Sequence, residues 1–358
     1  MKIVISGLGL MGSSLALAIK NKHPETEIWG YDFPSIISQA LEKKIIDKAV
    51  KNWPESCAEA DIVFLATPIQ IIEKQLRELN KIVGKNTIVT DLGSTKQNVH
   101  RIVDALNFSG TFIGGHPMTG SEKSGLEAAN PLLYENAVYI LTGINSENQE
   151  FADNKLISLL EDIKARVLLL TPEAHDEIMA MISHLPQLIA INLVNMVGKR
   201  NNPDKPYLDL AAGGFRDLTR IASSNFSIWK DILERNRENI KKALQELIEL
   251  LEKQSQNIGD LSEDFHSANY YRQQIPKASK GFLHPLIDVL VYVQDEPGTI
   301  ARMSNALAEQ GINIRDIELL KVREKEGGVF RISFADLEEA KQAITILNNN
   351  NFRAFLRE

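Results

Sequence analysis

An imidazole, a hydroxyl and two guanidinium groups in the sequence stand where they could do chemistry. His116 follows the apolar run Thr111-Phe112-Ile113-Gly114-Gly115, just past what reads as a strand end, and opens the loop Pro117-Met118-Thr119-Gly120-Ser121-Glu122. An imidazole so placed can polarise a hydroxyl and take its proton as hydride leaves the same carbon. Two further loops also follow directly on apolar runs: Thr67-Pro68, and Asp91-Leu92-Gly93-Ser94-Thr95-Lys96. Ligands of open parallel sheets sit beyond the carboxyl ends of the strands, so these three loops are expected to converge. Ser94 would then share the hydroxyl or hold the imidazole, and Thr67 would touch a cofactor rather than the substrate. His23 and His100 fall on helices or their exits and are expected to be solvated. Farther on, Gly213-Gly214 precede Arg216 and Arg220, which are neighbours on one face if that stretch is helical. Their planar donor forks suit carboxylates; the competing reading is a solvated face paired with Asp217.

The elements that position these groups begin at the N-terminus. Lys2-Ile3-Val4-Ile5-Ser6 reads as a buried strand, Gly7-Leu8-Gly9-Leu10-Met11-Gly12 as a glycine turn, and 13–20 as a packed helix. A second strand, 27–31, ends on Asp32, twenty residues after Gly12. This is the dinucleotide fingerprint in the context it requires. Gly7 permits the tight turn, Gly9 lets backbone approach a pyrophosphate, and Gly12 lets helix and strand pack closely. The helix start, with Leu10 and Met11, offers free N–H groups to phosphates. Asp32 suits the ribose hydroxyls and repels a 2′-phosphate, and neither Phe33 nor Pro34 supplies a cation to hold one. NAD is therefore expected over NADP, with Thr67 and Pro68 completing the cofactor site. Residue types and spacing alone reach an NAD-dependent oxidation of a small anionic alcohol.

Strands at 61–66, 86–91, 111–115, 137–142 and 167–170 alternate with helices at about 69–83, 96–106 and 150–164, which specifies a doubly wound, mostly parallel sheet. From Pro172 strand signals vanish and helical runs take over: 173–182, 185–197, 226–233 and 236–256. The last carries Ile240, Ala243, Leu244, Leu247, Ile248 and Leu251 as an apolar stripe, read as core packing that two subunits could share. A homodimer is expected. Residues 276–285 read as a linker, and 286–358 as βαββαβ, a ferredoxin-like module. The expected division is a dinucleotide-binding domain at 1–171, a helical substrate and dimerisation domain at 172–275, the linker, and a regulatory domain at 286–358. With 358 residues, 44% hydrophobic and 24% charged, the chain has ordinary globular composition. A net charge of −7 argues against nucleic-acid or acidic-membrane partners. Cys57 is the single cysteine and fits a space-filling role in a reducing cytoplasm; no metal site is implied. No apolar run is read as long enough to span a bilayer, and a strand from residue 2 leaves no room for a signal peptide.

Several blocks together resemble the prephenate dehydrogenase family. They are Gly7 to Gly12, Asp91-Leu92-Gly93-Ser94, and His116-Pro117-Met118-Thr119-Gly120-Ser121-Glu122-Lys123-Ser124-Gly125, with His184-Leu185-Pro186 and Gly213-Gly214-Phe215-Arg216-Asp217-Leu218-Thr219-Arg220 in the helical half. The resemblance runs from Met1 to about Gln274. It implies a cyclohexadienol substrate carrying a ring carboxylate and a pyruvyl side chain. It also implies that His116 accepts the ring hydroxyl's proton, Ser94 orients hydroxyl and imidazole, and Arg220 binds the ring carboxylate. Ser121, Glu122, His184, Arg216 and Asp217 would line the pocket, the last two reaching in from the other subunit. Many members carry a histidine three residues after the one matching His184, near the substrate side chain; here that position is Gln187. An amide cannot be cationic, so arogenate stands beside prephenate as substrate.

The module at 286–358 resembles an ACT domain through Asp295-Glu296-Pro297-Gly298 and Gly311-Ile312-Asn313-Ile314. The resemblance implies an amino-acid effector, tyrosine by feedback, near Gly298 and Asn313, against a purely structural pairing role. Two other readings are weighed. β-Hydroxyacid dehydrogenases need a Gly-x-x-x-Lys-x-x-Asn segment, whereas Lys199 here directly follows Gly198. A non-enzymatic sensor of NAD and an amino acid would keep its function without His116.

Overall fold

The computed structural model describes residues 1–120, 123–275, 286–294, 296–323 and 327–357. Ser121, Glu122, the expected linker at 276–285 and Asp295 of the third-domain turn lie outside the described residues. The chain divides into two compact units, 1–259 and 260–358.

The first unit opens with β1 (Lys2–Ser6), α1 (Leu10–Lys22), β2 (Glu27–Tyr31), α2 (Pro34–Glu42) and β3 (Lys48–Ala49). It continues through β4 (Ile62–Leu65), α3 (Ile69–Leu79), β5 (Ile88–Asp91), α4 (Gln97–Leu106), β6 (Thr111–Pro117) and β7 (Val138–Thr142). The helix expected at 150–164 is α5 (Gln149–Ala152), a π-helical turn (Asp153–Ile157) and α6 (Ser158–Asp162), and β8 (Arg166–Leu170) follows. The eight strands run in the order β3-β2-β1-β4-β5-β6-β7-β8, parallel except for the β6–β7 pair. Alternate side chains feed two cores. Ile3, Ile5, Ile28 and Phe64 pack with Leu15 and Ile19 of α1, while Val4, Val63, Leu65 and Val89 pack with Ile72 and Leu76 of α3. Burial on both faces is why these strands read as unbroken apolar runs. Strand order reverses between β1 and β4, so the ligand crevice of such a sheet lies where Gly7–Gly12 and Thr67-Pro68 emerge.

Helices follow: α7 (Pro172–Met179), α8 (Leu185–Gly198), α9 (Gly213–Thr219), α10 (Phe226–Arg235) and α11 (Arg237–Gln256). The break expected at 183–184 is instead a π-helical turn, Ala180–His184, which joins α7 and α8 into one run. That run, Pro172–Gly198, is long and apolar enough by length and composition to cross a membrane, which corrects the sequence reading. The stripe of α11 is core only in its first half: Ile240 and Ala243 are buried, whereas Ile248 and Leu251 are exposed.

The second unit holds α12 (Ser262–Gln274), unforeseen as a helix, and then β9 (Ile287–Val293), α13 (Thr299–Ala308), β10 (Asp316–Arg323), β11 (Gly327–Phe334), α14 (Leu337–Asn349) and β12 (Arg353–Leu356). Its antiparallel sheet runs β10-β11-β9-β12, the βαββαβ order. The second strand starts at Asp316, so Ile312-Asn313-Ile314 is connecting chain rather than strand. Ile312 still packs into the core with Val289, Val291, Phe330 and Leu347.

Candidate active site

The glycine turn has the shape its sequence predicts. Gly7 has φ +93°, and a Cβ there would meet the Ala66 carbonyl oxygen at 2.5 Å, so the β1 and β4 loops touch. A Cβ on Gly12 would strike the Gly7 carbonyl. By contrast, nothing lies within 4 Å of a Cβ built on Gly9, which caps α1 without a side-chain bond. The first turn of α1, at Leu10 and Met11, therefore presents open backbone to a ligand. Met11 is braced from behind, its carbonyl accepting the Tyr134 hydroxyl at 2.9 Å. At the end of β2 the Asp32 carboxylate accepts the Leu8 N–H and the Phe33 N–H, both at 2.6 Å, which holds it against the glycine turn. Thr67 bonds the Gln75 side chain at 3.1 Å, and Pro68 caps α3. An open helix start beside a fixed carboxylate at the switch point fits a dinucleotide.

Beyond β5 and β6 a buried ionic pair sets the backbone. Lys96 is fully buried, and its Nζ donates to Asp91 Oδ2 at 2.5 Å and to the Gly115 carbonyl at 2.7 Å. Asp91 also accepts the Gly93 and Gly115 N–H groups at 2.9 and 3.1 Å. Burial pushes the Lys96 ammonium below its ordinary range, and Asp91 opposes that shift. The pair clamps the residue that precedes His116. His116 itself is still within β6, opposite Ile140 of β7, and is half-buried. Ser94 is likewise half-buried, in the loop between β5 and α4.

The helical half reaches His116 directly. Thr171 caps α7, its side chain accepting the Ala174 N–H at 3.1 Å, and this sets His175 one turn in. His175 Nε2 lies 2.8 Å from His116 Nδ1, and His175 Nδ1 lies 2.7 Å from Asp176 Oδ1. Asp176 accepts the Lys96 and Gln97 N–H groups at 2.8 and 2.9 Å, at the start of α4. Burial, with His175, Lys96 and His184 nearby, holds His116 well below the ordinary imidazole range, so its ring is neutral.

His184 is buried rather than open to a pocket. Its Nδ1 is 3.2 Å from the Asn236 amide nitrogen, which also donates to the Asp176 carbonyl at 2.6 Å. Burial pushes its pKa down to about 4. Gln187 is buried too and donates to the Ile221 carbonyl at 2.9 Å, anchoring the turn that carries Arg220. Arg216 and Asp217 are exposed on α9, and Arg220 opens a 3₁₀ turn, Arg220–Ser223. In the same stretch of chain Leu210, Leu218, Phe226 and Ile228 are each more than 60% accessible. His100 is not solvated as expected: it bonds Thr142 Oγ1 at 2.8 Å and packs edge-on against Phe112. His23 lies 2.9 Å from Asp162. Cys57 is buried, its thiol pushed up to about 12, as a space-filler would be.

Sequence reasoning missed His175, Asp176 and Asn236, and passed over Lys96. No local spacing marks them, because His175 meets His116 across 59 positions. In the second unit, Gly298 (φ +83°) lines a cavity of about 290 Å³ with Val293, Thr299, Leu319 and Phe330. Asn313 is exposed and is not among the residues lining it.

Residues 15–169 match the family described as prephenate dehydrogenase, nucleotide-binding domain, 171–268 its dimerization domain, and 287–351 the ACT domain. The prephenate dehydrogenase of Bacillus subtilis is 37% identical over 350 residues, covering 95% of this chain and 94% of that protein. Among solved structures, prephenate dehydrogenase from A. aeolicus in complex with hydroxyphenyl propionate and NAD+ aligns with a TM-score of 0.70 and 30% identity, over 77% of this chain and 98% of that one. Synechocystis arogenate dehydrogenase aligns with a TM-score of 0.68 and 31% identity, over 77% of this chain and all (100%) of that one. With its glycine turn, its half-buried His116 and its full-length relatives, the chain belongs to the prephenate dehydrogenase family.

Proposed function

We propose that the protein oxidises prephenate to 4-hydroxyphenylpyruvate and carbon dioxide with NAD, and that tyrosine regulates it through the 286–358 domain. The observation that carries the reading is the half-buried, neutral His116 at the end of β6. Bound NAD supplies the hydride acceptor, held at Gly7, Gly9, Leu10, Met11, Gly12, Asp32, Thr67 and Pro68. His116 takes the ring hydroxyl's proton as the carbinol carbon gives up hydride, and Ser94 orients the hydroxyl. The C–C bond to the ring carboxylate then breaks, its electrons flow through the ring to the oxygen, and His116 returns its proton to form the phenol. Aromatisation drives the sequence, so the residues need only position reactants and hold one proton. Arg220 binds the ring carboxylate, with Arg216 and Asp217 near the substrate and the buried His184 and Gln187 supporting the pocket. Arg220 must not hold the ground state and the transition state equally, since uniform binding does not raise the rate of the step.

The exposed apolar residues of the helical half support a homodimer in which Arg216 and Asp217 approach the partner's site. On this reading Pro172–Gly198 is apolar because it faces subunit packing, and the single buried Cys57 suits a reducing cytoplasm. The proposed functional division is 1–171, 172–275 and 286–358, although the compact units divide at 259/260 and so group α12 with the second unit. The cavity beside Gly298 is of a size for an amino acid, though its rim does not include Asn313. Arogenate is the alternative substrate, favoured by Gln187, whose neutral amide is already spent on a backbone carbonyl. NADH formation with prephenate and with arogenate, side by side, decides between them. Turnover of prephenate supports the reading, turnover of arogenate alone replaces the substrate, and silence with both refutes it.

A further inference from the structure

We infer that His175 and Asp176 form a positioning dyad that fixes the His116 ring with its proton on Nδ1 and leaves Nε2 bare as the base. The inference rests on the proposal that His116 accepts the substrate proton, and it comes from a chain of three contacts. Asp176 accepts two backbone N–H groups at the start of α4, at 2.8 and 2.9 Å, so its carboxylate acts as an acceptor. The 2.7 Å contact with His175 must then be a bond donated by His175 Nδ1. His175 is completely buried, with Lys96 and Asp91 also close by. Burial holds its ring below the ordinary imidazole range despite Asp176, so Nε2 carries a lone pair. The proton in the 2.8 Å contact between the two rings therefore belongs to His116 Nδ1.

The order of donors decides the chemistry. Were His175 protonated on both nitrogens, it would donate to His116 Nδ1 and drive the His116 proton onto Nε2, where no base would remain. With His175 neutral, Nε2 of His116 can take the hydroxyl proton, and the new cation donates through Nδ1 to His175, backed by the Asp176 charge. That charge matters because burial, Lys96 and His184 disfavour a cation at His116, as a protonated His175 would too; a neutral His175 acts instead as the cation's acceptor. Asn236 completes the arrangement by holding the Asp176 carbonyl and the neutral His184. The same division of labour, an acid behind an imidazole fixing its tautomer, operates in serine hydrolases; here a second imidazole is interposed.

The test is the tautomer itself, read in the full-length protein labelled with [15N]histidine by long-range proton–nitrogen correlation, with His116 assigned by its loss in His116→Gln. The expected result is Nδ1–H for both His116 and His175; an Nε2–H tautomer at His116 overturns the inference. Two variants add a kinetic readout. His175→Gln keeps an acceptor for His116 and should retain turnover within about tenfold, while His175→Phe should lose about 10²–10³-fold in kcat. In His175→Phe the acid limb of the pH profile should also move to lower pH, because the His116 cation has lost its acceptor. Equal losses in both variants with an unmoved acid limb would mean that His175 only fills space, and would overturn the inference. The expected tautomer together with wild-type turnover in His116→Ala would sink the proposed base instead, leaving the dyad's hold on the ring intact.

Discussion

Replacing Lys96 by methionine isolates the buried pair that fixes the backbone before His116. Methionine keeps the unbranched stem and removes the ammonium. Asp91 then stays fully buried without its 2.5 Å partner, holding only the Gly93 and Gly115 N–H groups, and the Gly115 carbonyl loses its 2.7 Å donor. Breaking a buried pair by removing one partner costs about 3–5 kcal/mol. The two backbone donors left on Asp91 put the loss near the lower end, about 3 kcal/mol. All three tryptophans, Trp29, Trp53 and Trp229, lie in the first unit, so tryptophan fluorescence follows that unit alone. With a urea slope of about 3 kcal/mol/M, the midpoint should fall by about 1 M. Adding Asp91→Asn should restore part of the loss, since no charge is stranded, while the single amide oxygen can accept only one of the Gly93 and Gly115 N–H groups, which reach different carboxylate oxygens. A midpoint shift below about 0.2 M for Lys96→Met would refute the reasoning, because a buried carboxylate cannot lose its paired cation so cheaply.

Acid should destabilise the first unit through its buried histidines. The His184 pKa falls from 6.5 to about 4 on folding, so stability is whole above pH 6.5 and is lost as pH falls toward 4. His184 alone is expected to remove about 3 kcal/mol over that window, with His116 and His175 acting in the same direction. Denaturation midpoints unchanged between pH 6.5 and 5 would contradict the assignment. Arg220→Lys should lower kcat/KM for the ring substrate by about 10²-fold, since an ammonium lacks the planar fork, while leaving the KM for NAD unchanged; steady-state kinetics in both substrates reads the split. In the second unit, Gly298→Val places a side chain at φ +83° on the cavity rim and should weaken tyrosine binding by calorimetry at least tenfold, without changing uninhibited turnover. Equal tyrosine affinity in the variant would remove that cavity as the effector site.

The inner strands of the sheet were legible because they are buried on both faces, and the glycine turn because it is a local pattern: Gly12 against the Gly7 carbonyl and Asp32 on the Leu8 N–H act within one supersecondary unit. The ferredoxin-like order of the second unit was legible for the same reason. Ile312-Asn313-Ile314 misled because one inward apolar residue in connecting chain, Ile312, resembles the start of an alternating strand. The π-helical turn at Ala180–His184 escaped because it leaves the apolar pattern unbroken while Pro186 suggests a boundary. The loops around His116 could be picked out by position past strand ends, but His175, Asp176 and Asn236 could not. Their contacts join a helix to a sheet across dozens of positions, and no periodicity encodes such a meeting. His100 was misjudged because a helix position says nothing about the Thr142 hydroxyl that β7 brings to it.

The measurement that bears most directly on the account is turnover of His116→Ala with NAD and prephenate, following NADH and carbon dioxide together. The account predicts that kcat falls by about 10²–10⁴-fold while NAD binding is unchanged, with the two products still formed one to one in what remains. Turnover within a few-fold of wild type would contradict it, and would mean that the half-buried imidazole at the end of β6 is not the base.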